Sequence, residues 1–255
     1  MSDLWKIERP GARLIAALDS NVLLRNQWNG DYEMDDCSRC HPDCALAWMS
    51  REVHDTESAS ACPASLMPQW AAEVITWMDN VLSAEAWPGL MRRLGLLIDR
   101  ATPQTWSRRL QAKCCQIAVV EALQHTTDAA VVGVCERVIV LLDRAIAGAE
   151  PSADEWQTEI AAANAAGMRS IRAIKATRVT RVTGSAAARA AARAAKSRPR
   201  AARAGAAALT AAMSASRARA MWARTAARGR AADKIITSML DALEKEIALD
   251  ALEQP

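Results

Sequence analysis

The chain has 255 residues, a net charge of +3 and 51 % hydrophobic residues, enough apolar material for one large core or two small ones. It contains no Phe, one Tyr and nine Trp, and Ala, Leu, Arg and Glu dominate where a sheet would need aromatic and β-branched residues, so an all-α fold is expected. The small net charge hides a division, because residues 1–160 hold 14 Lys and Arg against 23 Asp and Glu (net −9) and residues 161–255 hold 18 against 6 (net +12), a segregation that marks a partner or an intramolecular contact.

The opening MSDLWKIERPGARLIAALDS has acids ahead of any apolar stretch, with no apolar signal region or small-residue cleavage site, and no window approaches 18 apolar residues. A cytoplasmic chain without a membrane helix is expected. Its seven cysteines are then thiols or metal ligands rather than disulfides. PGARLIAALDSNVLLRNQW reads as a helix that Pro10-Gly11 precedes and Gly30-Asp31 ends, with Leu14, Ile15, Leu18 and Val22 at helical spacing.

An acidic loop, DYEMDD, leads into CSRCHPDC. Cys37, Cys40 and His41 match the attachment motif of c-type haem, in which two thiols form thioethers and the adjacent His binds iron. Covalent attachment takes place outside the cytosol, so that reading loses its compartment here. Zinc instead needs four ligands in a tetrahedron. Cys37 and Cys40 make one local pair, Cys44 is a third candidate, and His41, His54 or Cys62 a fourth. The alternatives are unligated thiols packed at a helix start and, as a remainder, a redox dithiol. Pro42 suits the first turn of a following helix, with Leu46, Met49 and Val53 on one face.

The run His54 to Pro68 is small, polar and broken by two prolines, which reads as a linker. Three helical segments follow at about 69–87, 90–100 and 104–124, separated by WPG and TPQ. A fourth spans about 128–147, where Val131, Val134, Cys135, Val138, Ile139 and Leu142 form a stripe. Ser152 and Glu155 have the spacing of a capping box. Cys114, Cys115 and Cys135 sit in apolar helices as small hydrophobes. Glu121 and His125 are four apart on a helix, more plausibly a surface pair than an acid–base couple. The chain has no P-loop, GxGxxG, nucleophile elbow or HExxH, and only three His.

From Ala161 the character changes: residues 161–230 hold 29 Ala and 16 Lys and Arg, with no Asp or Glu. Arg169, Arg172, Lys175, Arg178 and Arg181 recur every three residues, and successive i+3 steps turn roughly 60° around a helix, so these cations wrap it. Arg189, Arg193 and Lys196 fall along one face, and Arg198, Arg200 and Arg203 follow around Pro199. Such a segment is the electrostatic footprint of a polyanion binder, nucleic acid being the default polyanion. The alternative is that it packs on the acidic half. RAADKIITSMLDALEKEIALDALE closes the chain as an amphipathic helix, with Ile235, Met239, Leu243 and Ile247 at i+4 beside Ile236 and Leu240, and must dock on something.

The layout from about Cys114 resembles Ala-rich helical proteins of bacteria and phages that carry the label of immunity proteins. The counterparts are a helical pair (CCQIAVVEAL with CERVIVLLDRAIAG), a turn with an acidic helix start (AEPSADEWQTEIAAANAA), an Ala-rich run to Arg230 and the closing helix ADKIITSMLDALE. Here the run is purely basic with only Trp222, and the cysteine module has no counterpart. The resemblance implies binding of a toxin-like protein and carries no catalytic residues with it.

The sequence therefore predicts an all-α helical bundle with a long Ala/Arg-rich segment and a small N-terminal Cys/His module. The expected organisation is 1–62, 69–160 (acidic) and 161–255 (basic). The expected role is that of a non-catalytic interaction protein with a protein partner, the alternative being nucleic-acid binding through the basic half. A third reading is a metal- or haem-dependent redox protein, with structural zinc as the possible cofactor.

Overall fold

The first helix begins where the sequence places it and stops earlier. In the computed structural model, which describes residues 4–23, 25, 45–50, 59–124, 128–172 and 226–253, a 3₁₀ turn at Leu4–Lys6 leads to α1, Pro10–Asp19. Pro10 and Gly11 are its first two residues rather than a break ahead of it, since the first turn has no use for the missing proline N–H. Its far end is set by Asn21, which takes φ 53°. The N–H groups of Asn21 and Val22 donate back to the carbonyls of Leu18 and Ala17 (3.1 and 3.0 Å). This is a Schellman stop with asparagine in the left-handed position.

α2, Ala45–Met49, is short and wholly buried. Arg13 of α1, only 2 % exposed, ties the two together. Its Nη1 donates to the Met49 carbonyl (3.0 Å), and Nε and Nη2 donate to the Ile7 and Glu8 carbonyls. A buried guanidinium is tolerable only when its donors are matched in this way. Of the stretch read as a linker, the described part is folded. A 3₁₀ turn at Ala59–Ala61 packs on α3, Gln69–Val81, and Ala59 and Met67 are buried.

α4 (Trp87–Ile98) and α5 (Arg108–Leu123) follow. Trp87-Pro88-Gly89, read as a separator, instead forms the first turn of α4, again because proline is tolerated there. α6, Ala129–Ile146, starts at Asp128, whose carboxylate accepts from the N–H groups of Ala130 and Val131 (3.0 and 3.3 Å). Leu141 takes the buried place expected for Ile139, which is half-buried. α7, Ala153–Arg172, opens with the expected capping box. Glu155 N–H donates to Ser152 Oγ (3.2 Å), and Ser152 N–H donates to Glu155 Oε2 (2.7 Å).

The last helix, α8, runs Ala226–Glu253, so Arg228-Gly229-Arg230 lies inside its first turns. The described residues thus form eight α-helices and no strand, an all-α fold. α1 packs on α4 and α2, α5 on α6, and α6 on α7. α8 meets α3, α4 and α5, and its Ile235, Ile236, Met239, Leu240, Leu243 and Ile247 are all buried. Each such side chain contributes about 1.5–3 kcal/mol on leaving water. The helix that follows the basic segment in sequence therefore completes the core of the segment before it.

α1 and α4 cross at two glycines. A Cβ on Gly11 would lie 1.8 Å from the Gly95 carbonyl oxygen. This close approach lets Asp99, just past α4, cap α1 from a distance. Its Oδ1 and Oδ2 accept from the N–H groups of Gly11 (2.7 Å) and Ala12 (2.9 Å), donors that the N-cap Arg9 side chain leaves unmatched.

Candidate interaction surface on the last helix

Apolar burial attaches α8, and polar contacts along its flank fix its register. Asp233 accepts from Ser83 N–H and Oγ (2.9 and 2.7 Å). Arg93 reaches Asp241 and Glu244, each at 2.7 Å. Asp250 accepts from Thr102 Oγ1 (3.0 Å) and from the hydroxyl of the fully buried Thr105. These partners advance together, so α8 runs parallel to α4. Against α5 it runs the other way: Ser107 Oγ donates to Glu246 Oε1 (2.9 Å) and Lys234 Nζ to Glu121 Oε2 (2.6 Å). Ser107 also caps α5, accepting from Leu110 N–H (3.1 Å).

Three further ion pairs tie other helices together. Arg137 donates to both oxygens of Glu159 (2.9 and 3.0 Å), joining α6 to α7. Arg144 binds Glu155 (2.5 Å), and Arg92 of α4 binds Asp19 of α1. The Arg144 guanidinium, with the Ser152 N–H and hydroxyl, holds the Glu155 carboxyl down to about 2.

Beside its buried stripe α8 carries a second face, Ser238, Ala242, Lys245, Leu249 and Leu252, roughly 140° away around the axis. This face and the outer side of α5 form an open groove of about 640 Å³. Leu110, Ile117, Ile146, Ala242, Leu249 and Leu252 supply its apolar lining. Leu249 is 38 % and Leu252 82 % exposed. Arg109, Lys113 and Lys245 stand among them, as do Asp241 and Glu246. The two acids are held by Arg93 and Ser107. Lys113 donates to Gln116 Oε1 (2.7 Å), while Arg109 and Lys245 form no ion pair with a described residue. The groove lining thus holds three cations against two acids, one of which, Asp241, is neutralised by Arg93. A separate gap of about 40 Å³ among Trp70, Met78, Trp106, Ile236 and Met239 is lined by apolar surface alone and offers no polar partner even to a water. Trp70 and Trp106 meet edge to face there, with centroids 5.9 Å apart.

Three of the four cysteines among the described residues are buried in helices. Burial pushes the thiols of Cys115 and Cys135 up to about 12 and that of Cys114 further still, so they serve as small hydrophobes, as expected. Cys62, a candidate metal ligand, is half-buried with its thiol pushed up to about 11 by burial. Its Sγ faces the carbonyls of Pro63 (3.6 Å) and Met67 (3.9 Å). The other candidates, Cys37, Cys40, His41, Cys44 and His54, lie outside the described residues, as does His125. Among the described residues no group of three or more His, Cys, Asp and Glu is placed to hold a metal. Glu121 gives its carboxylate to Lys234 of α8.

Of the polyanion candidates, Arg169 and Arg172 fall in the last turn of α7. Lys175, Arg178, Arg181, Arg189, Arg193, Lys196, Arg198, Arg200 and Arg203 lie outside the described residues. No described helix is long and apolar enough to cross a membrane. The groove is faint in the sequence because Ser238 and Lys245 interrupt its apolar period; its signal there is Ala242, Leu249 and Leu252 at i+7 and i+3 steps. No protein-family model, curated protein or solved structure matches this chain.

Proposed function

We propose that this chain is a non-catalytic interaction protein, a helical body carrying an Ala/Arg-rich segment that binds a polyanion, with nucleic acid as the class. One observation carries the reading. Five of the six acids of α8, Asp233, Asp241, Glu244, Glu246 and Asp250, are engaged by serines, threonines and Arg93 of the bundle itself. Glu121, Glu155 and Glu159 have their own cationic partners there. Residues 173–225 hold 12 Lys and Arg and no acid. Asp241, Glu244, Glu121, Glu155 and Glu159 are already ion-paired within the body, which leaves fewer acids to neutralise those cations and favours an external polyanion over internal neutralisation, the two alternatives the sequence leaves open. The test is binding of labelled DNA duplex and single-stranded RNA to the full chain at low salt. Affinity should fall steeply with added salt, with log K linear in log salt concentration. Arg189, Arg193 and Lys196 changed together to Gln should flatten that slope. Absent or salt-independent binding removes the reading.

A protein partner is the second reading. The α5–α6 pair, the capped turn into α7 and the docked α8 correspond to the layout that resembles immunity proteins, and the groove lies within it. Copurification with the product of an adjacent gene would favour it.

A further inference from the structure

The geometry points to a second docking surface, independent of what residues 173–225 bind: the α5–α8 groove receives an amphipathic helix of a partner protein, with an apolar stripe flanked by acidic residues. Three observations on α5 and α8 define this occupant. The groove runs along two antiparallel helices, Glu246 lying by Ser107 and Lys234 by Glu121, so its long axis follows theirs, as a docked helix would. Its floor combines the small Ala242 with the projecting Leu249 and Leu252, which suits side chains arriving at i, i+3 and i+4. Its lining holds three cations, Arg109, Lys113 and Lys245, none ion-paired with a described residue, against two acids, of which Asp241 is already ion-paired with Arg93. A basic or neutral helix would leave those cations unmatched as water is excluded, and an acidic flank would satisfy them. A second copy offering this same face would bring Arg109, Lys113 and Lys245 again with only Asp241 and Glu246 to offset them, so charge complementarity favours a different, acidic chain. The surface gives the protein-partner reading a place and a chemistry, and it stands or falls separately from nucleic-acid binding.

The probe is a fluorescein-labelled peptide of about 18 residues, five helical turns, with leucines at helical spacing and glutamates on both flanks. Its twin carries lysines in place of the glutamates. Anisotropy with the full chain should show saturable binding of the glutamate peptide and at least about tenfold weaker binding of the twin. Leu252→Ser and Leu249→Ser should each weaken the glutamate peptide about tenfold. Leu252→Ser adds no charge and alters an exposed position, so circular dichroism and thermal midpoint should not move. Lys245→Glu should narrow or reverse the preference between the peptides. The Gln variants of Arg189, Arg193 and Lys196 should leave peptide binding unchanged even where nucleic-acid binding falls.

Four results would overturn the proposal. They are no saturable binding of the glutamate peptide, equal binding of the two peptides, indifference to Leu252→Ser, or displacement of the peptide by an oligonucleotide whose own affinity drops with Lys245→Glu. Sedimentation that shows a dimer abolished by Leu252→Ser would assign the groove to a second copy instead.

Discussion

On α8, the face bearing Ile236, Met239 and Leu243 is closed against α3, α4 and α5, whereas the face bearing Ala242, Leu249 and Leu252 stays open beside α5. Both faces are apolar and both follow helical spacing. What separates them is the polar company they keep. The closed face is flanked by Asp233, Glu246 and Asp250, each matched by hydroxyls or an N–H at the loops before α4 and α5. The open face is flanked by Lys245 and, across the groove, Arg109, neither paired with a described acid. Hydrophobic burial is non-directional and would accept several rotations of the helix. The matched carboxylates select one, because each would lose its partner if the helix turned.

Substitutions along α8 should separate the two faces. Leu243→Ala removes buried side chain from the closed face and should cost about 3 kcal/mol in denaturant unfolding. A loss below about 1 kcal/mol would mean that α8 is not docked through that face. Asp250→Ala should cost about 1–2 kcal/mol, because the buried Thr105 hydroxyl loses its acceptor. It should also raise hydrogen exchange in the last turns of α8.

Glu155→Gln, remote from α8, serves as a control with a pH signature. The Glu155 carboxyl is held low in the folded chain, down to about 2, chiefly by Arg144. Its contribution is therefore present above the ordinary carboxylate pKa, about 4.3, and is lost as pH falls toward 2. The stability gap between wild type and variant should narrow over that range, and a gap that widened would contradict the Arg144 contact. Leu252→Ser, on the open face, should shift stability by less than about 0.5 kcal/mol. A larger loss would show that the open face is part of the core after all.

Much of the local structure is legible in the sequence. Alanine, leucine and the stripes on α6 and α8 announce helices, and Ser152 with Glu155 announces where α7 starts. The end of α1 was legible in principle from Asn21, whose left-handed conformation stops the helix against the pull of Val22. Pro10, expected just ahead of a helix, and Pro88, expected between two, both stand in the first turn of a helix. The tertiary cap of α1 by Asp99 had no local signal, since its two halves lie 87 and 88 residues apart and meet only because Gly11 and Gly95 let the backbones touch. The groove was equally hidden, because its lining comes from α5, the end of α6 and α8, which meet only in the folded chain.

The sequence by itself determined the helical class, most helix starts and the identity of α8's strongest apolar stripe. These depend on propensities and caps settled within a turn or two of chain. Only the tertiary structure decided where that stripe docks, that five acids of α8 find partners on the bundle, and that a second apolar face is left open beside cations. Burial and charge matching are properties of pairs, and Asp233 with Ser83, 150 positions apart, become a pair only when the chain has folded.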